Sequence, residues 1–108
     1  MKLYIGGAYQ GQAELARQEN PGAECLTDFH LLIRTKMENG EDIPAYVVSL
    51  LETASDMVII SDEIGSGIVP IEPMDRAWRE TVGRALCLIA SRAEQVTRVI
   101  CGIGVRLK

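Results

Sequence analysis

Two short stretches of this sequence hold residue types at spacings that suit phosphate chemistry. The first is GGAYQGQA, residues 6–13, in which Gly6 and Gly11 enclose four residues. That is the glycine spacing of the pattern G-x-x-x-x-G-K-[ST], whose backbone N–H groups and helix N-terminus surround phosphates while the Lys adds charge and the hydroxyl binds Mg²⁺. Gln12 and Ala13 stand where the Lys and the Ser or Thr belong. Gln12 can hydrogen-bond a phosphate without neutralising it, and Ala13 offers nothing to a metal. Gly6, Gly7, Gly11 and Gln12 are the candidate phosphate-binding residues. The alternative is that a tight strand-to-helix turn uses glycines for its own geometry.

The second stretch is SDEIGSGIVP, residues 61–70, which follows the apolar run Met57-Val58-Ile59-Ile60. Carboxylates at the end of such a strand hold Mg²⁺ or position a nucleophile in phosphate-transfer sites. Asp62 and Glu63 are therefore the candidate Mg²⁺ ligands, and Glu63 the candidate catalytic group; two solvated acids in a turn are the alternative. Further on, Arg76 and Arg79 share a helix face and suit phosphate oxygens, unless they and Arg84 pair with Glu72, Asp75 or Glu80 on the helix surface.

These residues need a sheet and helices to position them. Residues 2–5 form an apolar strand that stops at Gly6-Gly7, and good helix formers run from Gly11 to Glu19 before the turn signal Asn20-Pro21-Gly22. Residues 23–26 suit a short strand. Thr27 is a plausible N-cap for a helix with Phe29, Leu32 and Ile33 on one side, closed by Asn39-Gly40. A second helix begins at Asp42, tolerates Pro44 in its first turn, and turns Ile43, Tyr46, Val47, Leu50, Leu51 and Ala54 to one face. Residues 57–60 read as a central strand covered on both faces. Residues 64–73 form a loop, and Trp78, Val82, Ala85, Leu86, Ile89 and Ala93 mark a long helix over 75–93. Residues 96–101 are the next strand, and 105–108 add a short last strand or trail off. Strands alternating with helices predict a layered α/β fold with a largely parallel sheet, whose ligands sit beyond the carboxyl ends of the strands.

Composition narrows the function classes. The 108 residues suit one domain, and 47% hydrophobic residues with 24% charged ones are those of a soluble globular chain. No membrane span and no secretory signal are legible, so the expected location is the cytoplasm. A net charge of -4, with no basic run, argues against nucleic acid as a partner. Cys25, Cys87 and Cys101 are read as buried thiols, because their spacing matches no metal or redox motif. The single His, His30, would have to build any His-based metal or Cys-His site alone.

SDEIGSGIVP, followed by Arg76, Trp78, Arg79, Glu80, Gly83 and Arg84, closely resembles the C-terminal half of the bifunctional adenosylcobinamide kinase / adenosylcobinamide-phosphate guanylyltransferase family. VTRVICGIGVRLK resembles that family's final strand and tail, YIGGAYQGQAELA its strand and phosphate loop, and ECLT its Asp-Cys-Leu-Thr. The resemblance implies a three-layer P-loop NTPase (RecA-like) fold, truncated, with a small and mostly parallel sheet. It implies ATP or GTP with Mg²⁺ as cofactors and a nucleotide or corrinoid precursor as ligand. It also implies departures. The segment carrying the family's guanylylated His is missing between Pro21 and Glu24, so His30 does not inherit that role. Glu24 replaces the Asp, Asp62 an Asn, and the loop cation and hydroxyl are gone. The expectation is a divergent member that binds nucleotide or phosphate with little or no transferase activity, against an active enzyme or a partner-binding scaffold. The missing segment would uncover apolar surface, so a homo-oligomer is expected.

Overall fold

A computed structural model describes residues 1–64 and 72–108. Its elements, in chain order, are β1 (Lys2–Gly6), α1 (Gln12–Glu19), β2 (Cys25–Leu26), α2 (Phe29–Glu38), α3 (Ile43–Thr53), β3 (Val58–Asp62), α4 (Pro73–Arg92), β4 (Gln95–Ile100) and β5 (Ile103–Arg106). Five strands form one sheet in the order β2-β3-β1-β4-β5. The first four run parallel, and β5 returns antiparallel to β4.

Side chains alternate along each strand, so the sheet has two buried faces. Leu3, Ile59 and Val96 face α2, α3 and α4 and join Phe29, Ile33, Val47, Leu50, Val82 and Ile89 in one cluster. Tyr4, Val58, Ile60 and Val99 face the other way, onto α1 through Ala16. The result is the three-layer α/β arrangement with a mostly parallel sheet that the sequence predicts. Full burial of one of these large aliphatic side chains contributes about 1.5–3 kcal/mol.

Local signals account for several boundaries. Asp42 caps α3, its carboxylate accepting from the Ala45 N–H at 3.1 Å, and Pro44 sits in the first turn. Thr27 does not cap α2. The N-cap is Asp28, in a left-handed conformation at φ 54° and without a side-chain cap bond, while the Thr27 hydroxyl accepts from Arg17 at 3.0 Å. α4 begins two residues earlier than the apolar pattern indicates, because Pro73 is preset for a helix's first turn.

Two expectations need further correction. The cysteines are not buried thiols: Cys25 is half-buried, and Cys87 and Cys101 are exposed. Cys87 lies off the Val82, Ala85, Ile89 stripe of α4, and Cys101 sits in the turn between β4 and β5. The last strand starts earlier than 105, because Cys101 (φ 51°) and Gly102 (φ 77°) both take positive φ and reverse the chain in two residues. The expected glycine turn of SDEIGSGIVP, residues 65–70, lies outside the described residues. Among the described residues, no helix is long and apolar enough to cross a membrane.

Candidate functional site

The carboxyl ends of β1, β3 and β4 meet at one edge of the sheet, where Gly6 is in register with Asp62 on one side and Val99 on the other. Gly6 is required by contact: a Cβ there would lie 2.6 Å from the Val99 carbonyl oxygen. The chain then loops through residues 7–11 and enters α1 from Gly11, whose φ of 88° is left-handed. α1 has no side-chain cap, so its first-turn N–H groups have no side chain closing them off. Gly7 has room, its nearest would-be neighbour being the Gln10 side chain at 3.7 Å.

Gln10 fastens the loop from its far side. Its backbone carbonyl accepts from the Gly102 N–H at 2.7 Å, and its side-chain oxygen from the Cys101 N–H at 2.7 Å. The two positive-φ residues of the β4–β5 turn thus direct their amides onto one residue of the loop.

Gln12 takes a direction that its place in the motif does not foretell. It is 6% exposed, and its Nε2 donates to the Gly6 carbonyl at 3.3 Å, the Gly7 carbonyl at 3.1 Å and Asp62 Oδ1 at 2.8 Å. Three acceptors around one amide nitrogen settle its orientation, since the flipped group would aim oxygen at oxygen. Gln12 Oε1 is left buried with no hydrogen-bond partner among the described residues.

Asp62 is engaged on its other side by His30. The His30 Nδ1 accepts from the Asp62 backbone N–H at 3.1 Å, so the neutral ring's proton is on Nε2, which lies 3.5 Å from Asp62 Oδ2. His30 is buried at the start of α2, and its own carbonyl accepts from Trp78 Nε1 at 2.7 Å. Arg34 lies over the Trp78 ring, 5.1 Å from its centre, and pairs with Asp75 at 2.7 Å. These contacts fix the start of α4 against α2.

Glu63 donates its backbone N–H to the Gly6 carbonyl at 2.7 Å, and its Oε2 accepts from Arg98 Nε at 3.1 Å. The structure therefore brings together Gly6, Gly7, Gly11, Gln12, Asp62 and Glu63. Arg76 and Arg79 stand in the first turns of α4, Arg76 exposed and Arg79 half-buried. Of the acids expected to pair with the helix arginines, Glu80 pairs with Arg84 at 2.6 Å, as expected, and Asp75 pairs with Arg34 of α2 at 2.7 Å. Arg84 thus belongs to an exposed ion pair.

Only part of this carboxylate pair suits a metal. Both Asp62 oxygens face N–H donors, whereas Glu63 has Oε1 to spare, and Mg²⁺ on phosphates needs one or two carboxylates. Glu63 is thus the residue that would hold the ion, whose chemistry would be to offset phosphate charge. No cluster of three or more His, Cys, Asp or Glu suited to a metal occurs among the described residues.

Sequence reasoning passes over Arg98, Gln10 and the contact of His30 with Asp62. Arg98 left a signal, as the one charge in the strand QVTRVI. His30 follows Phe29 on the inward side of α2, and its partner lies 32 positions away.

The sequence profile described as Cobinamide kinase / cobinamide phosphate guanyltransferase matches residues 15–107. The chain belongs to this family. The matched stretch starts beyond the glycine loop. The bifunctional adenosylcobalamin biosynthesis protein CobU of Salmonella typhimurium is 31% identical over 68 residues, covering 63% of this chain and 38% of that protein. Its Escherichia coli counterpart is 31% identical over 67 residues, or 62% of this chain and 37% of that protein. The match thus spans well under half the length of either relative. The truncated P-loop-like fold implied by the resemblance agrees with this membership.

Proposed function

We propose that this member of the cobinamide kinase / guanyltransferase family binds a nucleotide or phosphate ligand at the carboxyl ends of β1, β3 and β4, with little or no kinase or guanylyltransferase activity. ATP or GTP with Mg²⁺, or a phosphorylated corrinoid precursor, are the candidate ligands. The observation that carries the reading is Gln12. The uncapped amides of α1 and the glycine loop remain as a backbone cradle for an anion. The residue in the place of the loop Lys is neutral, turned inward and bonded to the loop's own carbonyls and Asp62. A phosphate would be held by hydrogen bonds from the backbone without the charge that stabilises transfer.

Incubation of the protein and Mg²⁺ with cobinamide and γ-labelled ATP or GTP, for phosphoryl transfer, and with cobinamide phosphate and α-labelled GTP, for guanylyl transfer with release of pyrophosphate, tests the catalytic half of this reading. The expected result is no label transfer above the uncatalysed background. Turnover near the ~1 s⁻¹ common among enzymes of this chemistry would overturn it.

The reading includes self-association. In the β4–β5 register Ile100 stands opposite Ile103 and Arg98 opposite Val105, so all four share a face of the hairpin. Ile100, Ile103, Val105 and the following Leu107 are exposed, and β5 is the open edge of the sheet. An uncovered aliphatic face beside unpaired strand N–H and C=O groups supports pairing with a second copy.

A further inference from the structure

We infer that Arg98, contributed by β4, supplies the positive charge that the glycine loop lacks and binds the terminal phosphates of the ligand. The inference rests on the reading of this edge of the sheet as a phosphate site. Three observations carry it.

Arg98 lies in register with Ile5 of β1, one residue before Gly6. Its guanidinium touches Glu63, whose backbone is bonded to Gly6. The cation is therefore held beside the first residue of the loop by the sheet itself. Secondly, only Nε is used in the contact with Glu63. Nη1 and Nη2 carry four N–H donors that have no partner among the described residues, and the side chain is 46% exposed. A guanidinium presenting its fork in this way suits two phosphate oxygens at once. Thirdly, Asp62 and Glu63 place two negative charges at this edge, Gln12 is neutral, and His30 takes a neutral tautomer. An anion would be repelled there unless a nearby cation offset the carboxylates. Arg98 is a cation in contact with one of them, Glu63.

Glu63 and the ligand then compete for the same guanidinium, and that competition separates a ligand-binding role from an ordinary surface ion pair. The experiment is equilibrium dialysis of labelled GTP and ATP, with and without Mg²⁺, against wild type, Arg98→Ala, Arg98→Lys, Glu63→Gln and the Arg98→Ala/Glu63→Gln double variant. Arg98→Ala is expected to weaken binding about tenfold or more, and Arg98→Lys to fall between it and wild type. Melting temperatures should stay within about 4 °C of wild type, since an exposed pair contributes little to folding. Glu63→Gln is expected to tighten metal-free GTP several-fold by releasing Arg98. That gain should vanish in the double variant.

Wild-type affinity in Arg98→Ala would overturn the role of Arg98 and leave the phosphate site standing. A Glu63→Gln gain that persists in the double variant would likewise assign the effect to charge alone. Wild type that binds neither nucleotide at millimolar concentration would overturn the site and Arg98's part in it together.

Discussion

At the scale of single residues, the loop distinguishes glycines that are needed from one that is tolerated. A methyl on Gly6 meets a backbone carbonyl of β4 at 2.6 Å, which cannot move without breaking the ladder. Gly6→Ala should therefore destabilise the protein by about 3 kcal/mol or more, whereas Gly7→Ala should stay within about 1 kcal/mol. Urea midpoints of the two variants check this contrast, and equal midpoints would contradict it. The spacing of Gly6 and Gly11 was legible in the sequence, and so was Gln12 at the position where the phosphate-loop pattern has Lys. The reason for Gly6 was not, because it lies in a strand more than 90 residues downstream. Nor was the inward turn of Gln12, whose strongest partner, Asp62, is 50 positions away. Periodicity reads neighbours along an element, while a site is assembled by the crossovers between elements.

At the scale of elements, two connections make predictions of their own. The β4–β5 reversal uses Cys101-Gly102 with both residues at positive φ, a geometry that Asn-Gly adopts more readily than Cys-Gly. Cys101→Asn should keep the backbone bond to Gln10 and raise stability by about 0.5–1 kcal/mol, read as a higher urea midpoint. The same fact explains why β5 was only half legible: the sequence lacks the usual turn dipeptide, so the hairpin does not announce itself. The second connection ties α1 to β1. The Tyr4 hydroxyl donates to Glu19 Oε1 at 2.8 Å and accepts from Asn20 Nδ2 at 3.0 Å. Burial, and then the Glu19 carboxylate, push the Tyr4 phenol above its ordinary 10.0. The fold holds the neutral phenol, so its contribution is complete below pH 10 and is lost as pH rises through the higher folded value. Unfolding free energy measured between pH 8 and 11.5 should fall at the alkaline end. Tyr4→Phe should lose about 1 kcal/mol at pH 8 and flatten that decline.

At the scale of the whole molecule, the layered α/β order was legible because β1 and β3 are continuous apolar runs and α3 and α4 carry clear helical stripes. The order of strands was not, since placing β3 between β1 and β2 depends on the crossovers rather than on any one segment. The exposed face of the β4–β5 hairpin became visible only once the register paired Ile100 with Ile103. Sedimentation velocity should find an assembly larger than the 11.8 kDa chain, and Ile103→Asp should shift it to monomer while leaving the circular dichroism spectrum in place. A wild-type protein that sediments as a monomer at all concentrations would remove self-association from the account. The claim that joins all three scales is the proposal that this edge of the sheet holds phosphate through backbone and Arg98, with neither a Lys nor a hydroxyl at positions 12 and 13. Calorimetric titration with GTP and ATP, each with and without Mg²⁺, tests it most directly. The account predicts saturable binding at micromolar to submillimolar concentration, and no heat of binding at millimolar nucleotide would contradict it.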